Sequence, residues 1–429
     1  MATEPDPWPA PLAQRPVSGE VRIPGSKSMT NRALVLAAIC DGESVIRRPL
    51  RSRDTELMAA GLRCLGVSVS AEPDGSYRVC GGQPPLRPGA PTVDVGNAGT
   101  VARFLPPLAG LADGDIRFDG DERMRGRPLG PLITALRELG VHIDTNAHDG
   151  LPLVVRGRGV VPGGSVTVDA SQSSQLVSGL LLAAPAYQAG VRVRHHGPRV
   201  PSRGHLAMSV RMLRTVGAQV EDSAPDTWTV EPGRLRAGVL DVEPDLSSAA
   251  PFLAAALVTG GQVTVPGWPA TSDQPGGALP ELLAQMGAAC TLDAGGLTIR
   301  GQGTIVGLDG DLTDVSELVP VLAALGALAA SPSRFRGVGH MRGQETDRLA
   351  ALANEISRLG GSVTETADGL EIIPRRLHGG VFATYDDHRL AMAAAVLGLA
   401  VPGIAVQNVA TTNKTLPGFA ALWSELLAG

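Results

Sequence analysis

Leu136-Arg137-Glu138-Leu139-Gly140-Val141-His142-Ile143 reads as the end of an amphipathic helix, a glycine stop and the first residues of a strand. Glycine just past a helix takes the left-handed backbone that closes it at little steric cost. The same order of residues stands at 62–69, 213–220, 283–290 and 357–363, and its first half closes the sequence at 426–429. A second pattern lies between these. A polar, cap-rich turn opens an Ala- and Leu-rich helix at 26–39, 97–111, 171–184, 245–258, 311–328 and 386–399. Both patterns return roughly every 70 to 75 residues, the mark of one supersecondary unit repeated.

Six units with two helices and several short strands each imply an α/β fold. They divide into two similar domains of three units, with a natural break near Val242-Glu243-Pro244. The expected domains are 24–242 and 1–23 plus 243–429, joined by two crossover segments, with the N-terminal arm completing the second domain. The apolar second-pattern helices should be buried and the charged first-pattern helices should lie on the surface. Two such domains facing each other would aim several helix N-termini, each partly positive, into one cleft.

Composition narrows the function. The chain has 429 residues, with 37 Lys plus Arg against 42 Asp plus Glu, for a net charge of -5. That balance argues against a nucleic-acid binder held by overall charge. Aromatic residues make up 3% of the chain, so the cores must be built from Ala, Val and Leu. Four scattered cysteines without a CxxC pair read as buried hydrophobes in a reducing compartment. The acidic, Pro-rich start at 1–16 lacks the features of a signal peptide. No apolar run reaches membrane-spanning length uninterrupted. A cytoplasmic monomer without membrane or nucleic-acid partners is the expectation.

The first turn, Pro24-Gly25-Ser26-Lys27-Ser28-Met29-Thr30-Asn31-Arg32, carries the strongest chemical signal. It follows a strand-like piece at 20–23 and opens a helix, so it reads as a strand-to-helix turn. Unpaired N–H groups and two cations would meet there, which suits a phosphate or carboxylate. Ser26 stands where a Walker A loop needs glycine, so that motif is excluded. Lys27 and Lys414 are the two lysines in a chain that otherwise uses arginine. Lysine is a compact charge suited to proton transfer, so both are singled out.

Later turns carry similar chemistry. They are Gly96-Asn97-Ala98-Gly99-Thr100 with Arg103, Ser173-Ser174-Gln175, Ser202-Arg203-Gly204-His205, Gln344-Glu345-Thr346-Asp347-Arg348, Asp386-Asp387-His388-Arg389 and Asn413-Lys414-Thr415. Between the first and second of these, 121–128 places three arginines before a helix. In this order and spacing the set resembles the enolpyruvyl transferases, most closely the branch acting on shikimate 3-phosphate. The resemblance runs from about Val21 to the C-terminus. It implies two domains of three units each, an inside-out α/β barrel type of fold. It also implies transfer of the enolpyruvyl group of phosphoenolpyruvate to the 5-hydroxyl of shikimate 3-phosphate, with release of phosphate.

By the same resemblance, Lys27, Ser28, Arg32, Ser173, Ser174, Gln175, Ser202, Arg203, Glu317 and His340 would bind shikimate 3-phosphate. Lys27, Asn97, Gly99, Arg127, Gln175, Arg348, Arg389 and Lys414 would bind phosphoenolpyruvate. Glu317, Glu345, Lys414 and Lys27 would be catalytic, with no cofactor and no metal. The sequence departs from the usual pattern at Phe104, His205, Glu317, His340 and Gln344. Gln344 replaces a lysine that would touch shikimate 3-phosphate, and Arg203 is the candidate to restore that charge. Asp314 rivals Glu317 as the carboxylate but reads better as a helix cap. The alternatives are transfer to UDP-N-acetylglucosamine and a non-catalytic anion-binding homologue. The former branch carries a Cys acid in the loop at 120–128, and none stands there.

Overall fold

The three central helices of each unit are buried on all sides, and the rest of the fold is arranged around them. The structure is a computed structural model that describes residues 6–146 and 148–429, so the first five residues of the N-terminal arm lie outside it. The chain forms two compact units. One is Gly25–Val242; the other joins the chain up to Pro24 with Glu243–Gly429.

In Gly25–Val242 the helices Lys27–Ile39, Gly99–Ala109 and Gln175–Ala183 pack on one another, with nearly every residue buried. Small residues allow the approach: a methyl group on Gly179 would lie 2.2 Å from the Arg103 carbonyl oxygen. Three outer helices, Arg53–Cys64, Gly130–Glu138 and Arg203–Thr215, bury one face only. In the other unit Ala250–Thr259, Val319–Ala327 and His388–Gly398 form the central trio. Each trio lies in a single hydrophobic core, consistent with a chain that has few aromatics to bury.

The sheets repeat one topology. Thr92–Asp94 runs parallel to Asp113–Asp119, which pairs antiparallel with Leu153–Arg158, which pairs antiparallel with His142–Thr145. The same order of parallel, antiparallel, antiparallel holds in four more sheets of the described residues. The sixth is shorter: Gly380–Phe382 runs parallel to Ile404–Val406, and the arm strand Trp8–Pro9 supplies the antiparallel partner. The arm also lends Ser18–Glu20 as the parallel strand beside Gln262–Val265. Two sequence expectations change here. The strand ahead of Lys27 is Ser18–Glu20 rather than 20–23, and it belongs to the other unit, so Pro24-Gly25 is a crossing between units. The helix expected from 311 begins at Val319, because Val315 breaks the helical backbone (φ -128°, ψ 26°) and leaves Thr313–Leu318 as a 3-10 turn.

The glycine stops take matching backbone angles. Gly66, Gly140, Gly217, Gly287 and Gly360 have φ of 87°, 93°, 94°, 101° and 93°. An L-residue there costs about 1–2 kcal/mol from the backbone alone. At Gly217 an added methyl meets only the Arg236 side chain at 3.9 Å, whereas at Gly66 it would lie 1.9 Å from the Arg87 carbonyl oxygen. Gly217→Ala should therefore cost about 1–2 kcal/mol in urea unfolding, and Gly66→Ala clearly more. Equal losses would mean the contact at Gly66 is relieved without cost.

Candidate active site

In Gly25–Val242 the starts of the three central helices come together. Ser26 caps the first, accepting a hydrogen bond from the Met29 amide at 3.4 Å. Asn31 Nδ2 donates to Thr100 Oγ1 on the second helix at 2.6 Å. Arg103 donates from one guanidinium nitrogen to the Gly99 carbonyl (3.3 Å) and to Gln175 Oε1 at the third helix start (3.2 Å). Arg127 NH1 reaches the Asn97 carbonyl (3.4 Å) and its Oδ1 (3.3 Å). Gly99 lies under this group: a methyl there would sit 2.6 Å from Arg103 NH1 and 2.9 Å from Arg127 NH2. Two arginines, an amide and the bare Gly99 backbone thus face one another across a few ångströms.

Lys27 is 17% exposed and its Nζ lies 3.6 Å from Asp54 Oδ2, which is itself buried. That carboxylate holds the ammonium at the helix start. Arg32 takes a different place from the one its motif suggests. Its guanidinium is 1% exposed and donates to Ser209 Oγ (2.8 Å), the Ser28 carbonyl (3.0 Å), the His205 carbonyl (3.1 Å) and Ser178 Oγ (3.3 Å). It also stacks on Phe104, 5.2 Å from the ring centre. Arg32 ties three helices together beneath Ser28. Ser173 Oγ accepts from the Gln175 amide at 3.3 Å, and Ser174 is buried beside it. Ser202 adopts a left-handed backbone (φ 51°) at the start of Arg203–Thr215. Arg203 is paired with Asp226 at 2.5 Å on the surface of its own unit.

The other unit carries a chain of alternating charges. Lys414 Nζ lies 2.7 Å from Glu345 Oε1, and Glu345 Oε2 lies 2.9 Å from Arg348 NH2. Arg348 then holds Asp387 with two nitrogens, at 2.7 and 3.2 Å. Arg348 and Asp387 are 3% and 0% exposed. Burial works against the Arg348 charge, but Asp387, Glu345 and Glu317 outweigh it and raise its pKa. Asp387 also accepts from the Arg389 amide at 2.9 Å, and the Arg389 side chain reaches Glu317 at 3.1 Å. Gln344 Oε1 accepts from Arg348 NH1, so this residue braces the arginine. Asp314 lies inside the turn at 313–318, ahead of the helix that begins at Val319, and Asp311 Oδ1 accepts the Thr313 amide at 2.9 Å. Asp314 lies close enough to act on His340.

Of the residues that support the site, the sequence singled out Arg103, Asp387 and Gln344 without their partners, and did not single out Asp54. Asp54, Asp387 and Gln344 hold cations and Arg103 holds Gln175, yet nothing in their local sequence names the partner. Asp387 stood in the quoted turn, but its partner Arg348 is 39 residues away. Among the described residues no three His, Cys, Asp or Glu side chains converge as a metal site, and no helix is long and apolar enough to cross a membrane.

The sequence model of the family described as EPSP synthase (3-phosphoshikimate 1-carboxyvinyltransferase) matches residues 12–423. The chain belongs to the EPSP synthase family. A relative from Kocuria rhizophila, named 3-phosphoshikimate 1-carboxyvinyltransferase, is 50% identical over 98% of this chain and 97% of its own. EPSP synthase of Acinetobacter baumannii, solved at 2.37 Å, superposes with a TM-score of 0.81 at 25% identity, over 97% of both chains. Membership in the EPSP synthase family makes the chain a transferase of carboxyvinyl groups, and does not favour the UDP-N-acetylglucosamine branch.

His340 offers a test that needs no substrate. Burial first, and then Arg348, push its imidazole from 6.5 down to about 4, while Asp314 opposes them. Between those values the unfolded state holds a proton that the folded state lacks, so stability falls as pH drops from 6.5 towards 4. NMR should give a His340 midpoint below 5, and His340→Asn should lose less stability than wild type over that range. A midpoint near 6.5 would overturn the assignment.

Proposed function

We propose that the chain joins phosphoenolpyruvate to shikimate 3-phosphate through the residues described above. The 5-hydroxyl of shikimate 3-phosphate loses a proton and its oxygen attacks C2 of phosphoenolpyruvate, while C3 takes a proton. The resulting tetrahedral intermediate then loses that proton from C3 as the C2–O bond to phosphate breaks, leaving the enolpyruvyl ether and free phosphate. One group must serve C3 first as acid and then as base.

The observation that carries this reading is the Lys414–Glu345–Arg348–Asp387 series. A carboxylate 2.7 Å from a lysine can exchange a proton with it, and the arginine behind holds both in register. We assign Glu345 and Lys414 to proton transfer at C3, and Glu317 to the 5-hydroxyl. Arg389, paired with Glu317, would bind the phosphoenolpyruvate carboxylate or phosphate together with Arg348 and Lys414. Lys27, Asn97, Gly99, Arg127 and Gln175 are assigned to the same substrate from their own unit. Lys27, Ser28, Ser173, Ser174, Gln175, Ser202, Arg203 and His340 are assigned to shikimate 3-phosphate, with Arg32 acting behind Ser28. Preorganised cations would stabilise the charge that builds up as phosphate leaves. The reading includes a monomer, and a cytoplasmic location in keeping with four free cysteines, Cys80 among them exposed.

Purified protein should release phosphate from phosphoenolpyruvate when shikimate 3-phosphate is present, and not with UDP-N-acetylglucosamine. Release with neither acceptor would sink the proposal. Glu345→Ala should lower kcat by about 100-fold or more, with the Kd of shikimate 3-phosphate within about 3-fold of wild type. An unchanged kcat would remove Glu345 from the chemistry.

A further inference from the structure

The four residues Thr384-Tyr385-Asp386-Asp387 form a tight turn closed by the Asp387 amide donating to the Thr384 carbonyl at 2.9 Å. Both central residues are left-handed, with φ of 53° at Tyr385 and 56° at Asp386. That pair of angles belongs to a type I′ turn, which ordinarily uses Asn and Gly. A tyrosine with positive φ is an outlier that the surroundings must hold in place. Asp387 ends this turn, and its carboxylate holds Arg348 and the Arg389 amide in the first turn of the His388–Gly398 helix.

The holding group on one side is Glu355. Its carboxylate is 1% exposed. Oε2 accepts from the Ala383 amide and Oε1 from the Tyr385 hydroxyl, each at 2.9 Å. Arg358 donates to both oxygens at 3.0 and 2.9 Å, which gives the buried carboxylate two further hydrogen-bond partners. Glu355 lies on the Arg348–Arg358 helix, so this one helix grips the chain just before the turn and, through Arg348, just after it. On the other side the Asp386 carbonyl accepts from Thr411 Oγ1 at 2.7 Å, and its side chain accepts from Asn408 Nδ2 at 2.5 Å. Thr411 lies on the Val409–Lys414 turn that ends in Lys414. The strained turn therefore joins the supports of Arg348, Arg389 and Lys414.

We propose that Glu355 is a positioning residue for the reaction, holding the left-handed Tyr385-Asp386 turn so that Asp387 sets Arg348 and Arg389 for the enolpyruvyl donor. The inference rests on the assignment of Arg348, Arg389 and Lys414 to phosphoenolpyruvate given above. It predicts an effect directed at one substrate, which a general loss of stability would not give.

Steady-state kinetics and amide hydrogen exchange on the full chain test it together. Glu355→Ala should lower kcat/KM for phosphoenolpyruvate by about 10- to 100-fold while the KM of shikimate 3-phosphate stays within about 3-fold. Adding Tyr385→Gly, which accepts positive φ without strain, should recover about 3-fold or more of that loss. The Asp387 and Arg389 amides should exchange faster in Glu355→Ala and slow again in the double variant. Glu355→Gln should keep most activity, because its amide can accept from Ala383 and donate to the Tyr385 oxygen. Should Glu355→Ala not fold, Tyr385→Phe removes one bond of the clamp and should still raise the phosphoenolpyruvate KM and the Asp387 exchange rate. The inference is overturned by wild-type kcat/KM in a folded Glu355→Ala, or by a loss that Tyr385→Gly leaves untouched with exchange unaltered. If wild type itself released no phosphate, the substrate assignment alone would fail, and the exchange measurements would decide the role of Glu355.

Discussion

Burying a helix on every side is the constraint from which the rest of each unit follows. A helix start has amides without intrahelical partners, and in a core there is little water to satisfy them. In Gly25–Val242 Ser26 caps the first helix from within, and side chains link the three starts to one another. Asn31 meets Thr100, and Arg103 meets both Gly99 and Gln175. Arg32 serves two serines and one carbonyl on two further helices. Arg103 and Gln175, which link the second and third starts, also surround the bare backbone at Gly99.

Charge balance follows a second rule in the other unit. Arg348 and Asp387 are almost wholly removed from water. Breaking a buried pair by deleting one partner typically costs about 3–5 kcal/mol, because the survivor is left uncompensated. The series from Lys414 through Glu345 to Asp387 avoids that cost by alternating sign along its length. It also explains how a protein of net charge -5 can bind anions. The cations are not held by an excess of charge over the whole molecule, but by carboxylates placed behind them. Asp54 behind Lys27 and Glu317 beside Arg389 follow the same plan.

Parts of this were legible in the chain and parts were not, for physical reasons. Lys27 stood out because lysine is rare here, and Glu345 and Arg348 because they open a helix in one short motif. Arg32 sits in the same motif as Lys27, five residues on in the same helix, so the sequence treats them alike. Burial separates them: one side of that turn faces Asp54, the other faces Ser178, Ser209 and the Phe104 ring. Gln344 read as a lost charge, and in the structure its amide oxygen steadies Arg348. Asp314 read as a helix cap, but the backbone breaks at Val315, the helix begins at Val319, and the Asp314 charge acts on His340.

The sequence by itself determined what depends on neighbours a few residues apart. Six glycine stops, six cap-rich turns and the spacing between them were enough for an α/β chain of six repeated units, since helix ends and turns obey local backbone rules. Tertiary structure alone decided which strand joins which sheet. The N-terminal arm supplies strands beside Gln262–Val265 and Ile404–Val406, more than two hundred residues away. It alone decided, too, which carboxylate stands behind each cation. Those pairings are set by packing between segments far apart in the chain, where a charge finds its partner only after the helices that carry them have been buried.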